Sequence, residues 1–115
     1  MLLLFVLTVA WCSASSFHSM DGYSAIQVKE AYVTGVPKGN AIQASIYGHT
    51  LTVVFTENLG QVAVEIATDT GLAIDCASTV TPNGLQFYIP NAGDYIVTFT
   101  LPNGDEYYGE FTVTD

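Results

Sequence analysis

The chain has no arginine and only two lysines, Lys29 and Lys38, against 11 acidic residues, for a formal net charge of -9. Without the planar guanidinium fork it lacks the usual grip on phosphate and carboxylate. A polyanion such as nucleic acid is repelled rather than gathered, and anionic membrane surfaces are disfavoured for the same reason. The first meaning of the acidity is solubility. Cysteine is almost as scarce, at Cys12 and Cys76, and the two histidines are His18 and His49. Such a set gives no clustered zinc ligands. No apolar run reaches the roughly 20 residues of a membrane-spanning helix. No segment has the period and length of a long amphipathic helix.

What is present begins with an apolar leader, MLLLFVLTVAW over Met1 to Trp11. Its length is that of a signal-peptide core, and Cys12-Ser13-Ala14 supplies small residues for cleavage after Ala14. Ser16 is a later alternative. Residues 1–14 are therefore expected to be a signal peptide. The segment before the apolar core carries no lysine or arginine, so the true start is expected upstream of Met1. Trp11 precedes Cys12 where a lipoprotein signal wants a small residue, which argues against acylation. Removal of the leader takes Cys12 with it and leaves the charge at -9. Cys76 is then unpaired, and an odd cysteine in an exported chain implies a buried thiol or an intermolecular bridge.

Residues 15–40 read as an N-terminal extension. Within it, Ala25 to Val33 forms either a first strand, with Ile26 and Val28 on one face, or a helical turn. Gly35 to Asn40 has turn composition. From residue 41 to 115 the pattern is regular. Ile42-Ala44-Ile46, Leu51-Val53-Phe55, Val62-Val64-Ile66, Leu72-Ile74-Cys76, Leu85-Phe87-Ile89, Tyr95-Val97-Phe99-Leu101 and Tyr107-Phe111-Val113 form the apolar half of successive alternations. Gly, Pro, Asn and Asp separate them, and Pro-Asn-Gly recurs at Pro82 and Pro102. Alternate side chains of a strand face opposite ways. About seven short strands with one apolar face predict two packed antiparallel sheets of immunoglobulin-like or fibronectin type III-like form. A small closed barrel is the alternative. The fold class is all-β.

No catalytic constellation follows from these residues. Cys76 is expected in the core beside Leu72 and Ile74, where a thiol is inert, and His49 is expected in a hairpin turn. There is no nucleophile-elbow motif, and short loops leave no cleft for a pair of glycosidase carboxylates. Asp69, Asp94, Asp105 and Glu106 fall in different turns, where Asp ordinarily bonds its own backbone. Two such turns meeting at one end are the most that a calcium site could draw on. No cofactor or metal is expected. Tyr95, at the start of a strand, is expected to tie its hydroxyl back to the preceding loop. Tyr47, Tyr88 and Tyr108 fall at outward positions. Exposed tyrosines supply rigid amphipathic contact area, or pair across a solvated sheet face. They are the candidate surface contacts.

The segments Ala44 to Phe55 (ASIYGHTLTVVF), Leu59 to Ile66 (LGQVAVEI), Gly93 to Phe99 (GDYIVTF) and Tyr108 to Phe111 (YGEF) resemble a family of small exported immunoglobulin-like proteins of unknown function from gut anaerobic bacteria. The resemblance spans Val36 to Val113 and is weakest before Val36. The same skeleton is similar to the C-terminal β-sandwich domains that sort secreted enzymes in such bacteria. The resemblance implies export and a β-sandwich, and carries no functional residues. The expected protein is a secreted, periplasmic or cell-surface interaction module, not an enzyme. Its partner is a protein or polysaccharide, with no nucleic acid and no stable membrane insertion once the leader is gone. The alternatives are a structural subunit of a surface assembly, in which residues 25–33 pair with a neighbour, and an accessory carbohydrate-binding domain.

Overall fold

The computed structural model describes residues 23–115. The leader, Cys12 and His18 lie outside the described residues. Every alternating run becomes a strand: β3 Ile42–Tyr47, β4 Thr50–Phe55, β5 Gln61–Thr68, β6 Ala73–Val80, β7 Leu85–Tyr88, β8 Gly93–Thr100 and β9 Glu106–Val113. Two more precede them, β1 Tyr23–Ile26 and β2 Lys29–Tyr32. Sheet I has the order β1-β3-β4-β7 and sheet II the order β2-β9-β8-β5-β6. All pairings are antiparallel. The result is an immunoglobulin-like β-sandwich, as the alternation predicts. A tight turn at Gly48, with φ of 58°, joins β3 to β4. That backbone region favours glycine.

The core lies between the sheets. Leu51, Val53, Val62, Val64, Ile66, Val97, Phe99 and Tyr107 are fully enclosed, each at the inward parity of its strand. At roughly 1.5–3 kcal/mol for each large apolar side chain, this layer is the main source of stability. Tyr107 reaches through it, and its hydroxyl accepts the Lys38 N–H at 2.6 Å. Tyr95 stacks on Phe111, and its hydroxyl donates to the Asn91 carbonyl at 2.7 Å, the loop tie expected of it.

Residues 25–33 do not form one strand. β1 pairs with β3 in sheet I, the chain crosses at Gln27 and Val28, and β2 pairs with β9 in sheet II. Ile26 is buried and Val28 packs against the core. The crossing needs room beneath it, and Gly109 on β9 supplies it. A Cβ there would stand 2.6 Å from Ile26 Cγ2 and 3.2 Å from the Gln27 carbonyl oxygen.

The expectation that Leu72, Ile74 and Cys76 face the core is wrong. All three are exposed, and Cys76 is a free, exposed thiol. The register explains why. Buried Val62, Val64 and Ile66 stand opposite Thr79, Ala77 and Asp75, so those residues take the inner face and Cys76 the outer one. Between the pairs Ile66–Asp75 and Ala67–Ala73 the register shifts, leaving Ile74 without a partner. Such a bulge breaks the alternation at Ile74, and Leu72 lies in the turn before β6, where its carbonyl accepts the Thr68 N–H at 2.8 Å. The position of β6 at the end of sheet II does the rest.

Candidate functional site

The outer face of sheet I is built from three rows of side chains set by strand register. Gln43 stands beside Val54, and Ser45 stands beside Thr52, which stands beside Gln86. Tyr47 stands beside Thr50, which stands beside Tyr88. None of these residues is charged. Tyr47 and Tyr88 are both exposed, on strands separated by β4. They are about 10 Å apart, two interstrand spacings. Gln86 Nε2 reaches Thr52 Oγ1 at 3.5 Å, and the His49 ring lies 5.8 Å from that of Tyr88, tilted by 31°. The face is therefore aromatic at one end and lined by hydroxyls, amides and the exposed Val54 elsewhere.

Tyr108 is not part of it. It lies on the outer face of sheet II, in one row with Lys29, Thr98, Glu65 and Cys76. Lys29 Nζ sits 6.0 Å above its ring, and the side chain is half-buried. The same face carries Asp94, Glu106 and Glu110 at outward positions. The three candidate tyrosines thus divide between the two faces: a neutral one with Tyr47 and Tyr88, and an acidic one with Tyr108.

The remaining candidates separate as well. Cys76 is on the outer face of sheet II, whereas His49 is in the β3–β4 turn of sheet I. The His49 Nδ1 lies 2.7 Å from the Ile89 carbonyl oxygen, and Nε2 lies 2.9 Å from Asp115 Oδ1. Neither ring nitrogen addresses the thiol. Of the four turn acids, Asp69 and Asp94 meet, with the Asp69 N–H on the Asp94 carbonyl at 3.1 Å. Asp105 and Glu106 lie past the opposite end of β8. Among the described residues no group of three His, Cys, Asp or Glu side chains is placed to hold a metal ion.

Asp105 has a role that turn composition did not reveal. It is buried, and its Oδ1 accepts both the Thr34 N–H at 3.1 Å and the Thr34 hydroxyl at 2.9 Å. Its Oδ2 accepts from Asn103 Nδ2 at 3.2 Å. The Thr34 backbone N–H, foremost, and then the two side-chain donors outweigh the cost of burying the charge. The carboxyl is held below its ordinary 3.8. Asp105 pins the segment after β2 to the β8–β9 hairpin, 71 residues away in sequence. The sole local sign of this was an Asn-Gly-Asp turn, which forecasts only the bond from the Asp105 N–H to Asn103 Oδ1 at 3.0 Å.

Comparison with solved structures finds a DUF3244 family protein with an immunoglobulin-like β-sandwich fold from Bacteroides vulgatus. The two superpose with a TM-score of 0.66 over 80% of this chain and 99% of that one, at 15% sequence identity. At that identity the likeness establishes the fold. No protein-family model matches the sequence, and no curated protein is similar to it.

Proposed function

We propose that this domain is an exported, non-enzymatic interaction module that meets a protein or polysaccharide partner through the outer face of sheet I. One observation carries the reading. In a chain of net charge -9, the outward positions of β3, β4 and β7 carry no charged side chain among the described residues, whereas the opposite face displays acids from β5, β8 and β9. A solvated face kept only for solubility would share the charge. A face of Tyr, Thr, Ser and Gln instead offers ring surface and hydrogen-bonding groups without a desolvation penalty for ions. Export is supported by the leader at residues 1–14. The separation of Cys76 from His49 supports the absence of catalysis.

The spacing of Tyr47 and Tyr88 in one row also suits a neutral sugar chain, since aromatic rings stack on apolar ring faces. The test is retention of the purified protein on neutral polysaccharides and on secreted and envelope proteins of its source cells. Wild type is compared with the Tyr47→Ala/Tyr88→Ala pair and with Tyr108→Ala. The reading requires loss of retention for the pair, by tenfold or more, with Tyr108→Ala unchanged. Equal retention by all three variants refutes it.

A further inference from the structure

We infer that the free edge of β6 is a second docking site, independent of the sheet I face, and that it accepts an extended, basic strand from another protein. Among the described residues, four strands end the two sheets. β1, β2 and β7 have four residues each. β2 carries Lys29 and Glu30, and Pro82 and Pro90 bracket β7. Short length, charge and proline are the ordinary defences of an edge against unwanted pairing. β6 is eight residues long, AIDCASTV. Its only defences are the bulge at Ile74 and the single charge of Asp75. With the turn residue before it, it also displays apolar surface: Leu72 is 67%, Val80 61% and Ile74 42% exposed.

The hydrogen-bond parity shows which groups are on offer. The Thr81 N–H donates to the Gly60 carbonyl at 2.9 Å, so that pair, one step beyond the β5–β6 ladder, stands at a hydrogen-bonded position. In an antiparallel ladder such pairs alternate. Residues 79, 77 and 75 then bond toward β5, and the N–H and C=O groups of Cys76 and Ser78 turn outward with the N–H of Val80, whose carbonyl accepts the Asn83 N–H at 3.2 Å. Asp75 confirms the parity by laying its own Oδ1 on the outward Cys76 N–H at 2.8 Å. An incoming strand replaces that carboxylate with a backbone carbonyl and extends the sheet.

Charge selects the occupant. Around this edge stand Asp69, Asp75 and Glu65. Both lysines belong to β2 and the segment after it, at the other end of sheet II. A second copy would bring an identical acidic edge and a further charge of -9. A strand with lysine or arginine at positions flanking Asp75 and Glu65, and small apolar residues against Ala77, satisfies both the ladder and the charge.

The experiment is amide hydrogen exchange by NMR on the purified protein, with a synthetic peptide alternating valine and lysine and with its valine–glutamate counterpart. The lysine peptide should slow exchange at Cys76, Ser78 and Val80 about tenfold when present at about ten times its Kd. The glutamate peptide should not. Ser78→Pro removes an outward N–H without touching a β5–β6 bond and should abolish the protection. Ser78→Lys, which keeps the backbone intact and adds a like charge, should weaken it if the proline variant fails to fold. The inference is overturned if neither peptide protects these amides, or if both protect them equally. Protection that rises with protein concentration and no peptide overturns it in favour of a second copy.

Discussion

Replacing Gly109 by alanine tests whether the crossing of the N-terminal segment between sheets depends on a missing side chain. The added Cβ would stand 2.6 Å from Ile26 Cγ2 and 3.2 Å from the Gln27 carbonyl oxygen, and one of the contacts is backbone. Overpacking of this kind costs about 1–3 kcal/mol. Alanine recovers about 0.4–1 kcal/mol by restricting the unfolded chain, so the net loss should be about 1–2 kcal/mol. For a domain of this size that lowers Tm by about 5–15 °C. The diagnostic is a double-mutant cycle. Ile26→Ala alone removes a buried side chain and should cost about 2–5 kcal/mol. It also deletes the methyl that the new Cβ strikes. The double variant should therefore be less destabilised than the sum by at least about 1 kcal/mol. Urea unfolding followed by far-ultraviolet circular dichroism measures all four corners. Additive losses, or a Gly109→Ala protein as stable as the wild type, would refute the idea that this glycine makes room for the crossing.

Asp105→Asn should flatten the acid limb of the stability curve. A carboxyl held below its ordinary 3.8 by Thr34 and Asn103 contributes stability that is fully present above that value. The contribution is lost as pH falls through the lower folded-state value. Tm measured against pH below about 4 should slope less in the variant, and parallel curves would exclude the role assigned to Asp105. Tyr95→Phe removes the 2.7 Å bond to the Asn91 carbonyl and should cost about 0.5–1.5 kcal/mol in urea unfolding; no change would mean that solvent replaces the bond without loss. Phe99→Ala, at the fully enclosed centre of β8, should cost about 3–5 kcal/mol, and a loss below 1 kcal/mol would contradict its central place in the core.

The seven strands from Ile42 onward were legible because each obeys a period of two and has a core to face. The loop tie of Tyr95 was legible because it is local. Three other features were not. Alternation alone puts the inner face of β6 on Leu72, Ile74 and Cys76, because they are the more apolar half. The face is decided by pairing with β5 and by a bulge at Ile74, neither of which alternation encodes. Residues 25–33 gave mixed signals because β1 and β2 are short and serve different sheets, so no single face persists along them. The division of Tyr47 and Tyr88 from Tyr108 depends on which sheet each strand joins. That is a matter of topology, and outward parity alone is silent on it.

The asymmetry of the sandwich follows from where its long-range ties are placed. On one side, β1 and β2 extend both sheets beyond β3 and β9, and the crossing between them closes the gap over Gly109. The segment after β2 is then fastened by Thr34 to Asp105 and by the Lys38 N–H to Tyr107, two buried anchors on the β8–β9 hairpin and β9. A partner's strand meets short edges there, that of β2 charged by Lys29 and Glu30. On the other side, β7 ends sheet I with four residues. β6 ends sheet II with twice that length, a single capping carboxylate and exposed isoleucine and valine. An unprotected edge of this kind invites aggregation unless something occupies or repels at it. The surrounding acids repel copies of the same chain, and attract a strand of opposite charge. The same carboxylates thus guard the edge against self-association and select what joins it, which makes the salt dependence of peptide docking at β6 a direct reading of that dual role.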